Sequence, residues 1–212
     1  MKSTKIIIKY EHVAEQTHGS VKRLVGFVQA KSLLSLFDAV DLDANPRSAK
    51  WGQVTEAIIE SIKRDADIFP FKTKGVLVGS SDYEALQRQR YELRFDDPTT
   101  EGILDGGHNM LAIGTYILVT ALNDEKAGRR IKNWETFKDA WRTNREAIEA
   151  IRDELNFLVP VEVLVPADLA DDEVVAEFRS ELLEICAARN NNAELTLETK
   201  ANRKRPVSPA LR

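Results

Sequence analysis

In the first third of the chain, apolar residues gather in short β-branched and aromatic clusters, Lys5–Tyr10 and Leu24–Val28, which predict strands. Ala30–Phe37 predicts a short helix. Asp43-Ala44-Asn45-Pro46-Arg47 predicts a stop, because proline fixes its own φ and drives the residue before it to an extended conformation. Helical periodicity follows, with Trp51, Val54, Ile58 and Ile62 on one face of a helix that ends near Asp65–Asp67. Phe69-Pro70-Phe71 and Gly75–Gly79 read as a strand entering a sheet, and Tyr91–Phe95 alternates with the period of a half-buried strand. Gly102–Asp105 is a further short strand. Gly106-Gly107 then opens a helix whose apolar positions, from Met110 to Leu122, leave it almost fully buried.

The second half is more helical. Trp134, Phe137, Trp141, Ile148, Ile151 and Leu155 keep a repeat near 3.5 residues, which predicts one long amphipathic helix, and all three tryptophans, Trp51 included, are assigned to core faces. Val159–Val165 is the most strand-like run, and Pro160 suggests that it starts at an edge. Asp171-Asp172-Glu173 then places negative charge on the first turn of a last helix, favourable to the helix dipole, with Phe178, Leu182 and Ile185 on its apolar stripe. Arg189-Asn190-Asn191-Asn192 is expected to end it, and Asn192–Glu198 to form one more strand. The pattern amounts to an α/β (α+β) chain with a small mixed sheet. Residues 1–125 form a core, 126–199 a helix–strand–helix continuation packed on it, and 200–212 a mobile basic tail.

Composition narrows the class. No apolar run approaches the roughly 20 residues of a membrane span, and the N-terminal Ile6-Ile7-Ile8 is too short for a signal peptide, so a cytoplasmic location is expected. A lone cysteine, Cys186, excludes an internal disulfide and a multi-cysteine metal site. The net charge of −4 is uneven: residues 200–212 hold five basic and no acidic side chains, which leaves −9 on residues 1–199. So acidic a body is a poor coat for DNA, whose binding rests on phosphate neutralisation; any nucleic-acid contact has to be local.

Candidate chemistry centres on Glu101-Gly102-Ile103-Leu104-Asp105-Gly106-Gly107-His108-Asn109. A strand that ends in two glycines and opens directly into a helix lets backbone approach a ligand closely, and aims unpaired N–H groups and the positive helix end at it, an arrangement suited to phosphate. His108 in the first turn is placed to bond that anion or to move a proton, and Asp105 to orient His108 or hold a metal. The same residues also fit a plain strand–helix turn. Glu101 and Asp105, four apart on a strand, keep a metal-dependent reaction open. A His12/Glu15/His18 grouping in a polar, loop-like stretch reads as surface histidines, and hydrolase elbows, zinc-protease helices and P-loops are missing.

Taken with the Asn-Pro-Arg turn, helix and strands before it, this corner resembles the phosphate-binding motif of the ParB/sulfiredoxin-like fold. DGGHNMLAI is similar to the Asp-Gly-Gln-His-Arg motif of the DNA-phosphorothioation regulators and to the Asp-Gly-Gly-His variant of abortive-infection phage-resistance (AIPR) proteins, and CAARNNNAEL resembles an Ala-x-x-Arg-Asn segment of the latter. The likeness spans about residues 22 to 198. It implies a role in prokaryotic phage defence, with Asp105 and His108 as the catalytic pair and Asn45, Arg47, Gly106, Gly107, Asn109, Arg189 and Asn190 around a nucleotide, with Mg²⁺, or a nucleic-acid phosphate. It also leaves open a DNA-binding regulator without turnover, an interaction module of a larger defence assembly, and oligomerisation. Gly107 stands where sulfiredoxins carry their reactive cysteine, so sulfinic-acid reduction is not expected. Asn109 replaces the arginine of the phosphorothioation regulators and brings no charge.

Overall fold

The computed structural model describes residues 4–40, 44 and 49–203, with side chains as far as residue 189. Alternation decides the first element: Ile6, Ile8 and Tyr10 are buried while Lys5, Ile7 and Lys9 face outward, as in a strand with one covered face. That strand, β1 (Thr4–His18), continues well past Tyr10 and turns at Gly19-Ser20 into β2 (Val21–Gln29). A register shift between Tyr10 and His12 bulges the strand, so the outward and inward positions exchange along its second half. His12, Glu15 and His18 are therefore strand residues, where a loop was expected.

Five more strands complete the sheet: β3 (Val76–Gly79), β4 (Asp82–Leu86), β5 (Arg90–Phe95), β6 (Gly102–Asp105) and β7 (Leu158–Pro166). Their order is β4-β5-β1-β2-β7-β3-β6, antiparallel throughout except for the β3–β7 pair. The architecture is mixed α/β. β7, from late in the chain, lies between β2 and β3 and is not an edge. Pro160 is tolerated there because it faces Phe27 of β2 before the β3 ladder begins at Val76 and Val161, so no bond on the β3 side requires its missing N–H.

Helices cover both faces. On one, Val78, Ile103, Val161 and Val163 meet α1 (Leu34–Ala39), α4 (Gly107–Leu122) and α6 (Trp134–Thr143) in the larger core, where Phe37, Phe137 and Trp141 pack ring to ring. α2 (Gln53–Arg64) and α5 (Glu125–Arg129) flank α4 on the same side. Residues of the opposite parity, Leu77, Leu104 and Leu164, join Phe178, Leu182 and Cys186 of α8 (Asp172–Arg203) in a smaller cluster on the other face. Trp134 and Trp141 are buried, and Trp51 is half-buried against the larger core. None of the helices among the described residues is long and apolar enough to cross a membrane.

Three expectations about the elements change. Phe69-Pro70-Phe71 starts a one-turn helix, α3 (Phe69–Lys72), because proline is well placed in a first turn. The long helix after Trp134 breaks at Asn144 into α6 and α7 (Arg145–Ala150); asparagine is a weak helix former, and the break lets Trp141 Nε1 and Arg145 Nε both donate to Asp38, at 2.8 and 2.9 Å. α8 runs through Asn190-Asn191-Asn192 to Arg203 where a stop and a strand were expected, since each asparagine costs a helix interior well under about 1 kcal/mol. Most of the basic tail lies outside the described residues.

The end of the sheet that carries the Gly-Gly corner is set by backbone contact. Gly75 has φ +75° and Gly106 φ +89°; a Cβ on Gly75 would stand 2.0 Å from the Pro160 carbonyl oxygen, and one on Gly106 2.4 Å from that of Gly75. Replacing Gly106 by alanine adds left-handed strain to a backbone clash and is expected to destabilise the protein by at least about 2 kcal/mol in urea denaturation. Gly52→Ala, with extended backbone and open space around it, is expected to stay within roughly 0.5 kcal/mol of wild type.

Candidate functional site

β6 is an edge strand held only by β3, and its last residues set the corner. Asp105 lies opposite Leu77 and Ile103 opposite Val78, so Leu104 is an inserted residue that interrupts the alternation. Gly106 then takes its left-handed conformation and α4 begins. The Gly106 N–H donates to Asp105 Oδ1 at 2.6 Å, and the Gly106 carbonyl accepts the first helical bond, from Met110 N at 2.9 Å. Asn109 reaches back: its Nδ2 donates to the Gly75 carbonyl at 2.6 Å. The close approach expected between backbone and ligand is thus spent between backbone and backbone, and Asn109 is a strap from helix to sheet.

What remains is the start of α4 itself. Among the described residues no side chain caps it, and no acidic residue stands in its first turn. Among the described residues the N–H groups of Gly107 and Asn109 have no acceptor; a helix leaves its first N–H groups without intrahelical partners. His108 is exposed between them, and Gly107 is buried. Asp105, Gly106, Gly107, His108 and Asn109 are therefore together by virtue of chain order.

The other expected site residues distribute differently. Asn45 and Arg47 lie outside the described residues, although Ala44 just before them packs beside Leu104 in the α8 cluster. Cys186 bonds the carbonyls of Ala44 and Leu104, at 3.3 and 3.8 Å; some eighty residues from the corner in sequence, it is one residue from Asp105 in space, and buried. Arg189 sits on Glu162 of β7, its guanidinium 2.8 Å from Oε1. Asp105 faces Leu77 and Leu77 faces Glu162, so Arg189's anchor is two strands, roughly 10 Å, from the corner. The side chain of Asn190 lies outside the described residues.

Glu101 is not a metal ligand in waiting. It is 4% exposed and accepts from Ser81 N at 3.0 Å, from the Ser81 hydroxyl, and from the N–H groups of Asp96 and Asp97 at 2.7 and 3.3 Å. Arg179 of α8 adds a bond to the same serine, at 3.3 Å. In the adjoining turn, donation from the Thr99 hydroxyl and N–H holds the Asp97 carboxyl below its usual range. Glu101 thus ties the β3–β4 and β5–β6 turns together, four residues from Asp105. Among the described residues no three His, Cys, Asp or Glu side chains group as a metal site.

Two charged residues escaped the sequence reading. Glu162 is the lone carboxylate inside Leu158–Pro166, a signal that an otherwise apolar central strand carries a paired charge. Arg23 of β2 is its second partner, with Nε 2.9 Å from the same Oε1.

Glu101→Gln is expected to cost about 1–3 kcal/mol in urea denaturation, because a buried charged acceptor of four donors is replaced by a neutral one. Anion binding by the folded variant should be unchanged; a loss of binding at wild-type stability would return Glu101 to the site.

Comparison of the chain with protein-family models, with curated proteins and with solved structures finds no match.

Proposed function

We propose that this chain is a prokaryotic phage-defence domain of the AIPR-like kind that binds a nucleotide or nucleic-acid phosphate at the start of α4. One observation carries the binding: a sixteen-residue helix begins at a sheet end with no side-chain cap among the described residues, no acid in its first turn and an exposed histidine. Such a terminus offers N–H groups and a partial positive charge to an anion, and His108 adds a donor. The defence role rests on the resemblance of DGGHNMLAI, the Asn-Pro-Arg turn and CAARNNNAEL to motifs of that family.

The −9 on residues 1–199 favours a small nucleotide over a long duplex, which needs many cationic contacts. Binding without turnover, as in a regulator, is favoured over proton transfer by an Asp105–His108 pair, because Asp105 Oδ1 is already engaged by the Gly106 amide. Gly106 and Asn109 serve the ligand indirectly, by fixing the helix start.

Thermal-shift titration with nucleoside triphosphates and short single-stranded DNA, each with and without Mg²⁺, tests the reading. A ligand at about 100 times its Kd adds ~2.7 kcal/mol to stability. His108→Asp puts a carboxylate where the anion binds, on a turn whose dipole tolerates it; it is expected to keep the fold by circular dichroism and to abolish the shift. An undiminished shift in that variant, or no shift in wild type, contradicts the proposal.

A further inference from the structure

Along the free side of α8 runs a groove of about 480 Å³, floored by β1, β2 and β7 and lined by His18, Val21, Leu164 and Ile185 among others. At one end Arg23 and Arg189 converge on Glu162 Oε1, at 2.9 and 2.8 Å. Glu162 side-chain exposure is 14%, so this carboxylate is largely withdrawn from water. A guanidinium offers five N–H donors, and here two guanidinium groups crowd one acceptor atom. Among the described residues Arg189 makes one hydrogen bond, to Glu162. Arg23 Nε is buried off the bonding direction and has no hydrogen-bond partner among the described residues. Among the described residues, one carboxylate against two guanidinium groups leaves a local excess of one positive charge with donors unused.

The rest of the groove has the opposite sign. Glu181 and Glu184 line it, eight and five residues before Arg189 on α8, which places them roughly 12 and 8 Å back along the helix axis. The Ser20 hydroxyl bonds Glu181 at the hairpin end, and Glu184 is exposed.

The geometry points to a second ligand site, separate from the α4 corner: an oxyanion held by the Arg23–Arg189 pair, belonging to a molecule whose other end is cationic and lies toward Glu184 and Glu181. Planar guanidinium forks suit phosphate and carboxylate oxygens. The acidic stretch beyond them repels polyanions, so a nucleoside triphosphate or DNA is the wrong shape of charge for this groove, and a phosphate or carboxylate that also carries an amine is the right one. Val21, Leu164 and Ile185 give such a ligand's short carbon chain an apolar wall.

Isothermal titration calorimetry at fixed ionic strength tests this with three probes: inorganic phosphate, O-phosphorylethanolamine and adenosine triphosphate. O-Phosphorylethanolamine is expected to bind best at the groove. Arg23→Met and Arg189→Met should each weaken it by roughly tenfold or more, the loss of a charge-assisted bond. Glu181→Gln together with Glu184→Gln should erase its advantage over phosphate. Should the methionine variants not fold, Arg189→Lys keeps the charge on Glu162 without the planar fork; binding at wild-type strength in that variant overturns the proposal. So does the lack of saturable heat from either phosphate probe in wild type, or a heat that survives Arg189→Met and vanishes with His108→Asp, which would belong to the corner.

Discussion

The contact on which this sheet end depends is one carbonyl oxygen against a glycine, made twice in succession. The Pro160 carbonyl presses on Gly75, and the Gly75 carbonyl presses on Gly106, at separations no side chain survives. Through those contacts the start of β7, the approach to β3 and the start of α4 are set at fixed distances from one another. Asn109 locks the arrangement by donating to the same Gly75 oxygen. Above it, α4 packs its buried residues into the larger core, so the direction of the helix and the seating of those residues follow from two positive-φ glycines.

This constraint reassigns the motif. Gly106 and Asn109 are engaged in holding the fold, and the proposed anion site rests on the amides at the helix start, which no described side chain caps, and on the exposed His108. An anion there is attracted by the helix terminus and opposed by the nearby Asp105 carboxylate, which is partly neutralised by the Gly106 N–H. On the other face of the sheet, the Arg23–Glu162–Arg189 cluster shows a different balance, in which the cations outnumber the acid at the point of contact and acids dominate farther along α8. The two proposed anion sites on one sheet, with different surroundings, should prefer different ligands.

Elements whose signal is local were legible in the sequence. The period-2 runs at Lys5–Tyr10 and Tyr91–Phe95 are strands, and the buried helix after Gly107 is where its apolar positions put it. Features decided by remote partners were not. Nothing in Leu158–Pro166 says that it pairs with β2 on one side and β3 on the other. The break at Asn144 is governed by Asp38, about a hundred residues earlier. The candidate site divides in the same way: Asp105 to Asn109 are together because they are consecutive, whereas the role of Asn109 needed Gly75, and that of Arg189 needed Glu162 and Arg23. Glu162 was visible in principle, as a charge in an apolar strand, but its two guanidinium partners come from β2 and α8, and only the fold unites them.

Backbone amide NMR on ¹⁵N-labelled protein, titrated with a nucleoside triphosphate, tests the central claim most directly, because the claim concerns particular N–H groups. Saturable downfield shifts of the Gly107, His108 and Asn109 amides, with Gly106 little changed because its N–H is already held by Asp105, are the predicted result. Saturable shifts that leave those three amides in place, or no shifts at all, would contradict an anion site at the start of α4.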